Sequence, residues 1–210
     1  MSGTGKSIPT RAGIHQGDDL TMNDERWLSE WIDIIRKHAG DDFVLELGSG
    51  RGRDSEALSQ SGLKVVAVDL SLESLRTCSQ IENCMPVQID LAYGFPFTDN
   101  SAGMILASLS LHYFSRATTR NIMNEIKRVI RPGGMLLVRV NSIEDVNFGA
   151  GQGAQIEKDY YQVGSRSKRF FDEGSVKRLL KDFDIQMIRH RSIDRYGKPK
   201  QVWEANALGY

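Results

Sequence analysis

Net charge is the first thing this sequence lacks: 27 Lys and Arg are matched by 27 Asp and Glu. That balance supplies no bulk positive field to draw the chain onto nucleic acid or an anionic surface, so a polyanionic partner is not implied. Long apolar runs are lacking too. No window approaches the ~20 apolar residues of a membrane-spanning helix, and the N-terminus has no continuous apolar signal-peptide core. A cytoplasmic protein with no membrane partner is expected. Cysteine is scarce: Cys78 and Cys84 stand alone, without CxxC spacing and without a neighbouring His cluster. A disulfide framework and a zinc site are therefore not suggested, which leaves two reduced structural thiols and no metal.

What is present is enough chain for one substantial core. At 210 residues a second full domain would leave both halves small, so a single domain over 21–210 is expected. Residues 1–20, rich in Gly, Ser, Thr and Asp without apolar period, read as a flexible arm. SGTGKS within it imitates the end of a phosphate-binding loop. The motif also needs an earlier glycine and a strand leading in, and neither is there.

From Asn23, Trp27, Leu28, Trp31, Ile32 and Ile35 recur at helical spacing, which predicts a capping helix within 21–40. Short apolar runs then alternate with helical segments: FVLEL (43–47), KVVAV (64–68), MPVQI (85–89), GMILASL (103–109) and MLLVRV (135–140). Runs of this kind indicate parallel strands buried on both faces. Residues 141–170 break the pattern with several glycines, long for a plain connection, and read as a lid on the substrate side. A helix around Ser175–Asp182 and two final runs joined by RYGKP, a hairpin signal, complete the chain. The expected fold is α/β: a doubly wound, Rossmann-like sheet of about seven mostly parallel strands, antiparallel near the C-terminus, with helices on both faces.

The first strand-to-helix turn of such a sheet is the usual cofactor site, and LELGSGRG (45–52) sits there. Glycines let the backbone turn tightly and approach a ligand closely. A dinucleotide fingerprint, GxGxxG, would need glycine at 53, where the chain has Arg53. Glu46 inside the strand would repel a pyrophosphate and suits a cationic ligand. Asp69, about 20 residues on, fits the ribose of either cofactor class. Glu46, Gly52 and Asp90 together separate the two.

On those residues the sequence resembles the class I S-adenosylmethionine-dependent methyltransferases, over roughly residues 43–140. The family's first motif is matched by Glu46, Gly48, Gly50 and Gly52. The resemblance implies that these, with Ser49, pass along the methionine part of S-adenosylmethionine. It also implies that Asp69, beside Leu70, holds the ribose, and that Asp90 with Leu91 contacts the adenine. Ser108 to Leu111 and RPGG match later motifs. GRGRDS (50–55) and LSLHYF are similar to small bacterial members, of the tellurite-resistance and type 11 kinds.

Methyl transfer is an in-line displacement at a carbon already activated by positive sulfur, so the protein chiefly aligns the reactants, and S-adenosylhomocysteine is the product. His112 and Tyr113, directly after the fourth strand, are the candidates to face the acceptor. Asn141, Asp145, Tyr160 and Tyr161 in the lid are candidates to bind it, and Lys168, Arg169, Phe170 and Phe171 form a basic-aromatic cluster beyond. Trp27 and Trp31 should pack the first helix on the sheet. The expected reaction is methylation of a small molecule. A protein methyltransferase, a nicotinamide-dependent oxidoreductase and a non-catalytic adenosine-binding module remain open at this point. Nucleic acid is a poor acceptor, because SLSLHY stands where base-amine methyltransferases carry Asn-Pro-Pro-Tyr or Asp-Pro-Pro-Tyr.

Overall fold

The computed structural model describes residues 22–210; the arm expected over 1–20 and its SGTGKS string lie outside the described residues. Five parallel strands form the centre: β2 (Phe43–Leu47), β3 (Lys64–Asp69), β4 (Cys84–Gln88), β5 (Ala102–Ser108) and β6 (Ile130–Asn141). The hairpin strands β10 (Asp184–Arg195) and β11 (Lys198–Leu208) add antiparallel to β6 through β11, as the terminal pattern predicts. A two-residue strand β1 (Met22–Asn23) pairs with β10, so the full order is β1-β10-β11-β6-β5-β2-β3-β4. The seven long strands match the sequence expectation.

Alternation along each strand divides the core into two layers. Leu45, Leu47, Val66, Val68, Ile105, Ala107, Leu136, Val138 and Val140 pack on one face with helices α4 (Arg116–Val129) and α5 (Glu173–Leu179). Val44, Val65, Ala67, Met104, Leu106, Met135 and Leu137 pack on the other with α1 (Ile32–Ala39), α2 (Arg53–Gln60) and α3 (Leu72–Cys78). Each fully buried Leu, Val or Ile contributes about 1.5–3 kcal/mol against an exposed position, so register is strongly fixed. Charges break this parity. Glu46, Arg139 and, opposite Arg139 on β11, Glu204 occupy positions where alternation calls for apolar side chains on the second face, and all three are buried.

The N-terminal segment is a 3-10 turn over Asp24–Glu30 followed by α1, rather than one continuous helix. Trp27 and Trp31 are buried on the second face, as expected. Helix α5 begins earlier than its sequence period suggests, because Asp172 caps it: its side chain accepts from the Ser175 N–H at 2.6 Å while Ser175 Oγ accepts from the Asp172 N–H at 2.8 Å. Residues read as an irregular lid contain a separate antiparallel sheet, β7 (Ala154–Glu157), β8 (Tyr160–Val163) and β9 (Arg166–Arg169). The Tyr160 hydroxyl donates to the Tyr113 carbonyl at 2.9 Å, and Glu157 accepts from the Arg116 N–H at 3.1 Å, tying that sheet to the start of α4.

Both thiols are free. Cys78 is buried and Cys84 half-buried. Burial pushes both up, Cys84 to about 11, so neither is a thiolate at neutral pH. No described helix is long and apolar enough to cross a membrane, and no group of three or more His, Cys, Asp or Glu placed to hold a metal occurs among the described residues.

Candidate active site

A cavity of about 980 Å³ opens at the carboxyl edge of the parallel strands, at the upper end of the ~300–1,000 Å³ usual for small-molecule sites. Its first wall is the turn after β2. Gly48, Gly50 and Gly52 all take left-handed φ, at 74°, 55° and 82°, a region costly for side-chain-bearing residues. Gly48 and Ser49 donate to the Val68 carbonyl at 2.8 and 2.9 Å, which pins the turn to β3. A Cβ on Gly48 would collide with Ser110 beside it. Around Gly50 there is open space. Gly52 does something else: its Cβ would meet Ile81 at 2.7 Å and the Cys78 sulfur at 2.9 Å, so it lets α2 pack against α3, and it is not on the cavity wall.

Four carboxylates face this part of the cavity: Glu46, Asp54, Asp69 and Asp90. Asp69 is aimed by two main-chain donors, Gly50 N–H and Ser71 N–H, both at 2.8 Å. Asp90 caps the short turn Leu91–Tyr93 by accepting from Ala92 N–H at 2.9 Å. Asp54 accepts from the Trp27 indole at 3.0 Å. Glu46 accepts from the Ser55 hydroxyl. Burial, then the charge of Asp54 and more weakly of Asp69, pushes Glu46 well above the usual carboxylate range, against the pull of Ser55. A cavity wall of this kind stabilises an incoming cation. Ser110 adds a buried hydroxyl on the same cavity that has no hydrogen-bond partner among the described residues.

Arginines line the rest. Arg139 rises from β6, Arg166 from β9 and Arg195 from the end of β10, with Arg53 at the start of α2. The Arg139 guanidinium lies 4.1 Å from the Trp27 ring centre and that of Arg166 5.8 Å from the Tyr113 ring. Tyr196, at the hairpin turn, also lines the cavity. Hydrogen bonding and charge from Arg195, then from Arg53, hold its phenol below the ordinary value.

Residues 45–138 match the family described as a methyltransferase domain. Residues 45–138 are thus similar in sequence to a methyltransferase domain. A demethylmenaquinone methyltransferase from Renibacterium salmoninarum is 31% identical over 122 residues, covering 58% of this chain and 50% of that protein. An uncharacterized methyltransferase from Synechocystis is 33% identical over 93 residues, covering 44% of this chain and 43% of that one. The chain spans about half the length of the curated relatives it matches. Among solved structures, a SAM-dependent methyltransferase from Methanosarcina mazei superposes with a TM-score of 0.73 at 18% identity, covering 84% of this chain and 96% of that one. A 1,6-didemethyltoxoflavin-N1-methyltransferase from Burkholderia thailandensis, with 1,6-didemethyltoxoflavin and S-adenosylhomocysteine bound, superposes with a TM-score of 0.66 at 20% identity, covering 89% and 79%. The acidic wall fits this cofactor class, since S-adenosylmethionine brings a sulfonium and an ammonium and neither a dinucleotide nor a pyrophosphate does.

Several site residues expected from the sequence lie elsewhere in the chain. Glu46, Gly48, Ser49, Gly50, Asp69, Leu70, Asp90, Leu91 and Ser108 do share the cavity, and so does Tyr113. His112 does not line it. Leu109 takes a left-handed φ of 51°, and in the turn that follows His112 is buried while Tyr113 is exposed and Ser110 lines the cavity. Burial, followed by the charges of Lys200, Lys168 and Arg195, holds His112 well below the usual imidazole range and therefore neutral. Asn141 and Asp145 are also buried and off the cavity wall. Lys200 from β11 donates to both side chains, to Asn141 at 2.8 Å, and Asp145 further accepts from the Gln201 N–H at 3.1 Å. They lock the β6 exit to β11. Tyr160 is buried against the Arg169 guanidinium at 4.7 Å, and Tyr161 packs its ring on Phe170 at 6.2 Å. Phe170 and Phe171 are core, and buried Arg169 pairs with Glu157.

The residues missed by sequence reading are the arginines and Tyr196. One signal was available for Arg139: it interrupts the apolar run MLLVRV near its end, as Glu46 interrupts FVLEL.

Proposed function

We propose that this protein transfers a methyl group from S-adenosylmethionine to a small-molecule acceptor. The observation that carries the reading is the division of one cavity at the carboxyl edge: an acidic wall after β2, β3 and β4, and remaining space bounded by β6, β9 and the hairpin turn. Asp69 would accept the ribose hydroxyls through a carboxylate already oriented by two main-chain N–H groups, and Asp90 would accept the adenine amine. Glu46, Gly48, Ser49 and Gly50 would border the amino-acid part, with the Ser110 hydroxyl facing the same space.

Bound there, the cofactor supplies an electrophilic methyl carbon: the acceptor's lone pair forms the new bond as the C–S bond breaks and its electrons return to sulfur. The chain's task is alignment and exclusion of water. Arg166 of β9 reaches the cavity that the β2 turn begins, so the small sheet closes over a volume scaled to a small molecule rather than to a folded protein surface. No polar side chain positioned as an obligatory general base is needed if the acceptor atom is already nucleophilic.

Calorimetric titration with S-adenosylmethionine, S-adenosylhomocysteine and NADH in parallel tests this reading. Micromolar binding of the first two and none of the third is expected. Binding of NADH alone overturns it.

A further inference from the structure

Every cation on the cavity wall is an arginine. Arg139 and Arg195 come from strands on the far side of β5 from the acidic residues and Arg166 from the separate β7–β9 sheet, while Arg51 and Arg53 flank Gly52 beside the acidic wall. Arg139 is buried and Arg195 half-buried, while Arg53 and Arg166 are exposed at the rim. Arg166 lies over the Tyr113 ring, Arg139 over Trp27 and Arg195 over the Tyr196 ring at 5.4 Å. Planar, pre-positioned guanidinium forks match the paired oxygens of a carboxylate or phosphate, and they cost little further ordering when such a group arrives.

The cofactor accounts for part of this set. Its sulfonium and ammonium are positive and belong against Glu46, Asp54 and Asp69, and its single α-carboxylate would take a guanidinium beside the glycine turn, where Arg51 and Arg53 flank Gly52. Arg166 and Arg195 come from β9 and β10, far from that turn in the chain, and remain for a second anionic group.

Resting on the methyltransferase reading above, we infer that the acceptor carries an anionic oxygen pair, a carboxylate or phosphate, received by Arg166 and Arg195 at the cavity mouth with Arg139 behind them. Tyr196, whose ring lies under the Arg195 guanidinium, completes that end as a second polar contact. The methyl-accepting atom then lies on the other end of the acceptor, toward Ser110 and the acidic wall.

Charge-paired probes test the inference on the full chain loaded with S-adenosylhomocysteine: 4-hydroxybenzoate and phenyl phosphate against neutral 4-hydroxybenzamide, by calorimetry. At least one anion should bind about tenfold or more tighter than the amide, and the tighter of the two names the group. Arg166→Gln and Arg195→Gln should each weaken that anion about tenfold, with S-adenosylhomocysteine affinity within about twofold of the parent. Arg166→Lys, which keeps the charge and loses the fork, should fall between. An amide that binds as well as both anions, no anion binding at millimolar concentration, or anion affinity unchanged in both Gln variants overturns the inference while leaving the methyltransferase reading intact. If S-adenosylhomocysteine itself fails to bind the parent protein, that reading falls and takes this one with it.

Discussion

The two ends of the cavity are built from different materials. On the acidic side the main chain does the positioning: Val68 holds the glycine turn, Gly50 and Ser71 hold Asp69, and Ala92 holds Asp90. On the basic side, side chains position side chains, through ring faces at 4.1, 5.4 and 5.8 Å. Backbone anchoring in a parallel sheet fixes one geometry for one ligand. Side-chain anchoring on hairpins can be re-cut by substitution without disturbing the sheet, which is the arrangement a shared cofactor and a particular acceptor require.

The largest expected effect attacks the basic side from below. Lys200 pins the β6 exit to the hairpin that carries Arg195, and it is buried with Asp145 and Asn141. Lys200→Ala leaves a buried carboxylate without its partner and should cost about 3–5 kcal/mol of stability, read as a large drop in denaturation midpoint. Replacing Lys200 and Asp145 together by Met and Leu should recover much of that loss.

On the acidic side, Asp69→Ala should weaken S-adenosylhomocysteine binding by about tenfold or more through loss of charge-assisted bonds. It should leave the parent's preference for anionic probes unchanged. Equal loss at both ends would show that the cavity is one coupled unit.

A third effect separates the sides by pH. Glu46 has a folded-state value raised above its ordinary 4.5, chiefly by burial. In the ligand-free protein its contribution to stability is therefore full below about 4.5 and lost as pH rises through the folded value. A cation favours the carboxylate, so cofactor binding should release up to one proton and tighten with pH, by at most about tenfold per unit, until Glu46 ionises unaided. Buffers of different ionisation enthalpy would read that proton directly. Glu46→Gln should abolish the release.

The smallest effect is a control on the arginines. Arg51 borders the cavity but pairs with Glu73 at 3.4 Å, with both side chains about four-fifths exposed. Arg51→Gln should shift stability by less than about 1 kcal/mol and leave anionic-probe binding alone, in contrast to Arg166→Gln.

The acidic side was legible because its residues lie one per strand end, in order, at spacings set by the βαβ repeat. Glu46, Gly48, Asp69 and Asp90 mark the ends of their strands and line one cavity. Gly52 was read with them by spacing alone, although its close neighbours are Ile81 and Cys78. The basic side was illegible for the opposite reason. Arg53, Arg139, Arg166 and Arg195 are separated by up to 142 positions and meet only after two hairpins fold back. His112 was misplaced by one backbone torsion, the left-handed Leu109, which no side-chain pattern announces. Asn141 and Asp145 looked like solvent-facing loop polarity because their partner, Lys200, lies more than fifty residues downstream.

The β7–β9 sheet carries a consequence for timing. Its strands pair only with their sequence neighbours and with no strand of the large sheet. It can therefore swing open by breaking a handful of contacts, such as Tyr160 to Tyr113 and Glu157 to Arg116, while the ladder from β4 to β6 stays whole. Amide hydrogen exchange should accordingly find two clocks in this molecule, fast over 154–169 and slow over 44–47 and 65–68. Departure of the methylated product would then keep time with the first and leave the second untouched.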